Sequence, residues 1–182
     1  MKIPTITTAR LILRPFVEAD AGPLHRILNE EDTLRYFPNP DPLPLERVQK
    51  FVTRQLAHWD EHGFGWWAVE PREPHGRQEL IGWNGLQFLP ETGEIEVGYL
   101  LSKAHWGKGF ATEGGLASLE FGFQALGLEN IIAIVHPGNK ASIRVIEKLG
   151  MSLVDRTNYF GMDVLRYILD RHGYYPLKLG QG

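Results

Sequence analysis

The sequence predicts an α/β (α+β) fold in which a mixed central sheet of about six to seven strands is flanked by about four helices. Two observations carry this prediction. Turn clusters divide residues 64–102 into three strand-like segments, the pattern of an antiparallel meander. Two later units each run strand, loop and helix, the first from about 94 to 126 and the second from about 130 to 149. Linking those passes requires crossovers of different kinds, so the sheet is expected to be mixed.

In order, a strand is expected at 9–14, followed by a helix from about Ala21 with Asp20 as its cap. Asp41-Pro42-Leu43-Pro44 leads into a longer helix at about 45–62. Strands at 64–70, 79–88 and 94–102 are joined by Pro71 to Gln78 and by Pro90 to Gly93. A helix follows at about 110–126, with Leu116, Leu119, Phe123 and Leu126 on one face. Then come a buried strand at 130–135, a helix at 140–149, and strands at about 152–159 and 163–170 separated by Phe160-Gly161-Met162. Residues 1–182 read as one domain, and 172–182 read as a loosely held tail. No repeat, low-complexity tract or interdomain linker interrupts the chain.

Bulk properties narrow the function. A chain of 182 residues with 43% hydrophobic content has enough material for a sizeable core. A net charge of −3 and a pI near 6.2 give no electrostatic case for nucleic acid or an anionic membrane as partner. With no cysteine there is no disulfide, thiol nucleophile or thiolate metal site. The start, Met1 to Thr5, lacks an apolar signal core, and no run reaches the roughly twenty apolar residues of a membrane span. A cytoplasmic protein is the default expectation.

The most informative stretch is His105-Trp106-Gly107-Lys108-Gly109-Phe110-Ala111-Thr112-Glu113. A glycine-punctuated turn from a strand into a helix leaves the helix's first N–H groups free, with the positive dipole end behind them. That makes an anion site suited to phosphate or pyrophosphate. The P-loop pattern fails here, and the dinucleotide fingerprint fails because residue 112 is Thr. Alone, the loop reads better as a helix entry with no ligand. A second unit changes that balance: Ile131 to Val135 runs through His136-Pro137-Gly138 to Asn139, a natural N-cap. The helix after it carries Ser142, Ile143 and Ile146 and ends at Lys148-Leu149-Gly150.

These two loop-helix units resemble the acyl-CoA-binding half of the GNAT superfamily of N-acetyltransferases. The match is nearest the RimJ/RimL-like branch, whose sequences resemble Trp-Gly-x-Gly-Tyr-Ala-Thr-Glu and Asn-x-x-Ser-x-x-x-x-x-Lys-Leu-Gly. Those patterns stand here as Trp106 to Glu113 and as Asn139, Ser142, Lys148, Leu149 and Gly150, with Met151 replacing a common Phe. The resemblance runs from Thr8-Ala9-Arg10-Leu11 to the last strand. It implies a GNAT fold in which strands 94–102 and 130–135 splay apart to hold acetyl-CoA as co-substrate, with no metal. Backbone groups of Val97, Gly98 and Tyr99 would orient the thioester. Trp106, Gly107, Lys108, Gly109, Phe110, Ala111 and Thr112 would hold the pyrophosphate, and Asn139 would contact the pantetheine.

An acetyltransferase needs the acceptor nitrogen's lone pair. Freeing it at pH 7 costs roughly 4.6 kcal/mol for a lysine-like amine and about 1 kcal/mol for an α-amine. Glu96 is the candidate base: it sits mid-strand, on the face opposite Ile95, Val97, Tyr99 and Leu101, where RimL-like enzymes carry a Glu. Glu94, on the same face, reads as a solvent-facing carboxylate. Many relatives place a Tyr seven residues after the Asn, but Ile146 stands there, which removes the usual general acid. Ser142 is then the group to support the leaving thiolate by hydrogen bonding, although helix-start bonding is its ordinary role.

Other features weigh less. His58 and His62 have the i, i+4 spacing of a helical zinc pair but lack a third ligand, and read as a solvated face. His105 and His136 flank the cofactor loops and read as surface histidines. One of Trp66 and Trp67 is expected in the core, and the other at a pocket or dimer face. Tyr36, Phe37 and Glu30-Glu31-Asp32 fall where this family builds its acceptor site. The expectation is acetyl transfer from acetyl-CoA to a primary amine, on a protein N-terminus or a small molecule such as a polyamine, amino acid or antibiotic. The alternative is a non-catalytic acyl-CoA binder or sensor. A homodimer is compatible with either.

Overall fold

The computed structural model describes residues 2–72 and 79–174. In chain order the elements are β1 (Ile6–Thr7), β2 (Leu11–Arg14), α1 (Ala21–Leu28), α2 (Leu45–His62), β3 (Trp66–Pro71), β4 (Gly82–Leu89) and β5 (Glu94–Leu101). Then follow α3 (Phe110–Glu120), β6 (Asn130–Val135), α4 (Lys140–Lys148), β7 (Ser152–Tyr159) and β8 (Met162–Asp170). The strands form one sheet in the order β1-β2-β3-β4-β5-β6-β8-β7. The eighth strand, beyond the expected six to seven, is the two-residue β1.

The meander β3-β4-β5 is antiparallel throughout, as the turn clusters predicted. Most of the turn segment Pro71 to Gln78 lies outside the described residues. β5 and β6 run parallel and share a single register pair, Glu96 with Ile132. Beyond that pair the two strands have no ladder between them, so the sheet opens where β5 continues toward the glycine loop.

Side-chain alternation gives the sheet two apolar faces. One carries Leu11, Leu13, Trp67, Val97 and Leu101 and packs against Ala117 and Leu119 of α3 and Ile146 of α4. The other carries Trp66, Ala68, Trp83 and Leu100 and packs against Leu24 and Ile27 of α1 and Val48 and Val52 of α2. Trp67 is therefore core and Trp66 faces the other layer. Near the end of α2, Trp59 donates its indole N–H to the Trp66 carbonyl at 3.2 Å and packs edge-on against Trp67.

Two local expectations need correcting. Asp20 does not cap α1 with its side chain; its carboxylate accepts instead from Arg14 Nη1 and Nη2 at 2.8 and 2.7 Å and from the Val17 N–H at 2.8 Å. The expected helix 110–126 ends as an α-helix at Glu120 and widens into a π-type turn over Phe121–Ala125. There the Gly122 backbone presses so close to the core that a Cβ would meet Ile131 at 2.6 Å. Of the tail expected from 172, Tyr174 packs its ring on Phe123 at 4.9 Å. Residues 175–182 lie outside the described residues.

Candidate active site

The glycine loop is built by backbone torsion. Gly107 and Gly109 take φ of 73° and 80°, and Gly109 is the residue from which α3 starts. No carbonyl within the helix can receive the first-turn N–H groups of α3, so they remain available to an anion. The loop is latched from behind by the β1–β2 hairpin. Glu113, buried in the first turn of α3, accepts from Thr8 Oγ1 at 2.6 Å and from Arg10 N and Nε at 2.7 Å each. Arg10 Nη1 donates to the Lys108 carbonyl at 2.9 Å, and its guanidinium lies over the Phe110 ring. Burial pushes the Glu113 carboxyl up, but the hydrogen bonds from Thr8 and Arg10 outweigh it and hold the group below its ordinary range.

The second loop supplies α4. Asn139 Oδ1 accepts from the Ser142 N–H at 3.1 Å, the cap expected from sequence, and Gly150 follows the helix with φ of 82°. This places Ser142 beside β5, where its Oγ is 2.7 Å from the Tyr99 hydroxyl. The residue standing at the usual Tyr position, Ile146, is core instead. The hydroxyl absent from α4 is thus matched by one arriving from β5. Burial pushes the Tyr99 hydroxyl up to about 12.

Glu96 lies on the opposite face of β5 from Tyr99, as the alternation requires, but that face is not the polar one expected. Its neighbour Leu100 is buried with Trp66 and Trp83. Desolvation pushes the Glu96 carboxyl up to about 8, against the opposing effect of a hydrogen bond from the Ile134 N–H. Glu94, expected to face solvent, is also tied: it accepts from the Tyr159 hydroxyl and from Arg166 Nη1 at 2.7 Å. Burial raises its carboxyl, while hydrogen bonds from Tyr159, Thr92 and Arg166 bring it below the ordinary value.

Residues from both faces of β5 line one cavity of about 860 Å³, within the range of small-molecule sites. Glu96 and Gly98 reach it from the α1–α2 side, and Val97, Tyr99 and Ser142 from the α3–α4 side. The cleft therefore passes through the sheet at the β5–β6 opening. Trp106, Gly107, Gly109, Phe110, Ala111, Thr112 and Asn139 also line it, so the residues named from sequence converge with one exception. Lys108 is exposed and outside the lining; it contributes its carbonyl to Arg10. The Tyr99 hydroxyl and the Thr8–Arg10–Glu113 latch are new, and the motif residues Tyr99, Arg10 and Glu113 carried no spacing signal for these contacts.

The histidines are more engaged than expected. His58 and His62 are half-buried and pack with Phe64, and the His62 ring also lies tilted against Phe88 at 4.9 Å. Desolvation lowers the His58 imidazole. His105 Nδ1 is 2.7 Å from Ser102 Oγ, and His136 stacks on Tyr36. Among the described residues no three His, Asp or Glu side chains gather as a metal would need, and no helix is long and apolar enough to cross a membrane.

The family model described as an acetyltransferase (GNAT) domain matches residues 10–152. The uncharacterized N-acetyltransferase p20 of Bacillus licheniformis is 42% identical over 149 residues, covering 80% of each chain. The solved acetyltransferase from Agrobacterium tumefaciens superposes with a TM-score of 0.80 at 28% identity, over 93% of this chain and 95% of that one. A RimL ribosomal L7/L12 α-N-protein acetyltransferase in complex with coenzyme A shares the fold, with a TM-score of 0.74 at 19% identity over 93% and 98% of the two chains. With its glycine loop, capped second helix and opened sheet, the chain belongs to the GNAT family and is an acetyltransferase.

Proposed function

We propose that this chain moves an acetyl group from acetyl-CoA to a primary amine by direct attack while both are bound. In this reading Glu96 is the base and the Ser142–Tyr99 hydroxyl pair supports the leaving sulfur. The observation that carries it is the through-sheet cleft, which brings Glu96 and the Ser142–Tyr99 pair to one cavity from opposite faces of β5.

The donor side fits a CoA-like molecule. A side chain at Gly107 would project into open space beside the cavity, so the loop offers bare backbone to a pyrophosphate. Past Glu96, the edge of β5 facing β6 has no strand partner, and its backbone groups match the amides of a pantetheine arm. Acetyl-CoA would supply an activated thioester, so no covalent enzyme intermediate is needed.

Glu96 titrating near 8 is about nine-tenths protonated at pH 7 and half ionised at pH 8. A base matched to working pH in this way is efficient. Tyr99 at about 12 is too weak an acid to protonate a thiolate, whose conjugate thiol titrates near 8.5. The pair therefore acts by hydrogen bonding to developing charge, with Tyr99 fixing the Ser142 hydroxyl. Holding both reactants in the cleft contributes further by removing translational freedom.

Release of CoA thiol, measured against a panel of amines and N-terminal peptides, tests this reading. Glu96→Gln is expected to lower kcat by roughly 10² to 10⁴-fold. Ser142→Ala and Tyr99→Phe are each expected to lower it by roughly tenfold, the scale of one lost hydrogen bond. Full turnover in Glu96→Gln would remove that residue's role. Tight CoA binding with no turnover of any amine would instead favour an acyl-CoA sensor.

A further inference from the structure

On the α1–α2 side of the sheet the cavity wall is aromatic. Trp66 and Trp83 both line it, with ring centroids 4.5 Å apart. Gly98 makes that possible, because a Cβ there would come within 2.8 Å of the Trp66 ring. Tyr36, Phe37 and Phe160 extend the wall at the rim. Carboxylates are scarce: among the described lining residues only Glu96 and Asp32 carry one, and Asp32 faces Lys103 Nζ at 3.8 Å. The Tyr36 ring is engaged by the Arg35 guanidinium at 5.5 Å and by His136, stacked at 5.2 Å. Arg35 also sets a positive charge at the rim, which opposes any further cation there.

Phe160 adds an independent observation. It forms, with Gly161, the two-residue connection between β7 and β8, the strands pairing at Tyr159 with Met162. Its φ is 54° and that of Gly161 is 75°, the signs of a type I′ hairpin turn. The first central position of such a turn favours Asn, Asp or Gly, and a bulky aromatic with positive φ is strained. Core packing does not offset that strain, because Phe160 is 48% exposed. Its ring lines the cavity instead. Strain held at a cavity rim, without burial in return, indicates use by a ligand.

We infer that the acceptor is a monoamine borne on an apolar, aryl-sized body, and that Phe160 selects it by covering that body at the mouth of the cleft. This rests on the acetyl-transfer reading for the identity of the site. The amine end reaches Glu96, while the body lies against Trp66, Trp83 and Phe160. A polyamine would bring further ammonium groups to a wall that offers only Asp32 beyond the base. A free arylalkylamine and a peptide with an N-terminal aromatic residue present the same chemistry.

The test separates binding from transfer. The CoA-loaded protein is titrated with 2-phenylethylamine, a Phe-Ala-Ala peptide amide and spermidine, with binding read by calorimetry and indole fluorescence and transfer by thiol release. One or both aryl acceptors are expected to bind roughly tenfold or more tightly than spermidine. Phe160→Asn should raise the melting temperature and weaken aryl-amine binding by roughly tenfold, with CoA affinity unchanged. Phe160→Ala should weaken amine binding without the thermal gain. Preference for spermidine, failure of both aryl acceptors to bind, or unchanged amine binding in Phe160→Asn would overturn the inference. Aryl-amine binding without acetylation would leave the aryl-amine site at Phe160 standing and remove the transfer reading instead. The peptide outperforming the free amine would identify a protein N-terminus as the source.

Discussion

Glu96 owes its chemistry to where β5 puts it. The same carboxyl in water would ionise near 4.5, and in the cleft it does so near 8. Between those values the folded state holds a proton that the unfolded state has lost. Its contribution to stability is therefore full below about 4.5 and declines as pH rises through about 8. Glu96→Gln removes this dependence, so thermal melts at pH 5, 7 and 9 should show the variant gaining on the parent toward alkaline pH, by more than about 1 kcal/mol at pH 9. Activity has the opposite sign. A base must be ionised, so kcat/KM should rise with pH to a midpoint near 8, and that limb should be missing from the residual rate of Glu96→Gln. A pH–rate profile with no ionisation between 7 and 9 would sink the assignment of this carboxyl.

At the level of elements, the glycine loop and the start of α3 line the cleft, but their pose is set by a hairpin about a hundred residues earlier in the chain. Arg10 joins the two, bonding Glu113 through Nε and the Lys108 carbonyl through Nη1. Arg10→Ala should weaken CoA binding several-fold, about 1 kcal/mol for charged hydrogen bonds made by a half-exposed side chain. Calorimetric titration with CoA reads this directly, and amine affinity should stay within about twofold. Arg10→Lys should not rescue it, because an ammonium cannot span a carboxylate and a carbonyl as the planar fork does. Equal CoA affinity in parent and Arg10→Ala would show that the loop holds its own shape.

For the molecule as a whole, the decisive feature is a sheet joined at one point. β1 to β5 and β6 to β8 meet through the Glu96–Ile132 pair, and α3 and α4 pack across the opening on one face. A ligand wedged there replaces missing ladder contacts and binds only the folded state. CoA at a hundred times its Kd should stabilise the protein by about 2.7 kcal/mol. Hydrogen exchange should show the added protection concentrated in the second half of β5, in β6 and in the first turns of α3 and α4. Protection spread evenly over β1 to β4 would point to a site elsewhere.

The order and type of the elements were legible in the sequence, and so was the glycine turn into α3. Periodicity, turn residues and caps are local, and Gly107, Gly109, Asn139 and Gly150 act on the backbone within a few residues of themselves. Strand alternation also predicted that Glu96 and Tyr99 would point to opposite faces. It did not predict that both faces would be covered, because burial depends on which helices fold over a strand. Nor did spacing pair Tyr99 with Ser142 or Arg10 with Glu113, contacts that span 43 and 103 residues of chain. Local pattern thus determined the glycine loop and the positions of its neighbours. Tertiary packing alone decided the pKa of Glu96, the hydroxyl pair and the aromatic wall. Desolvation and long-range hydrogen bonds arise only once distant segments share one cleft.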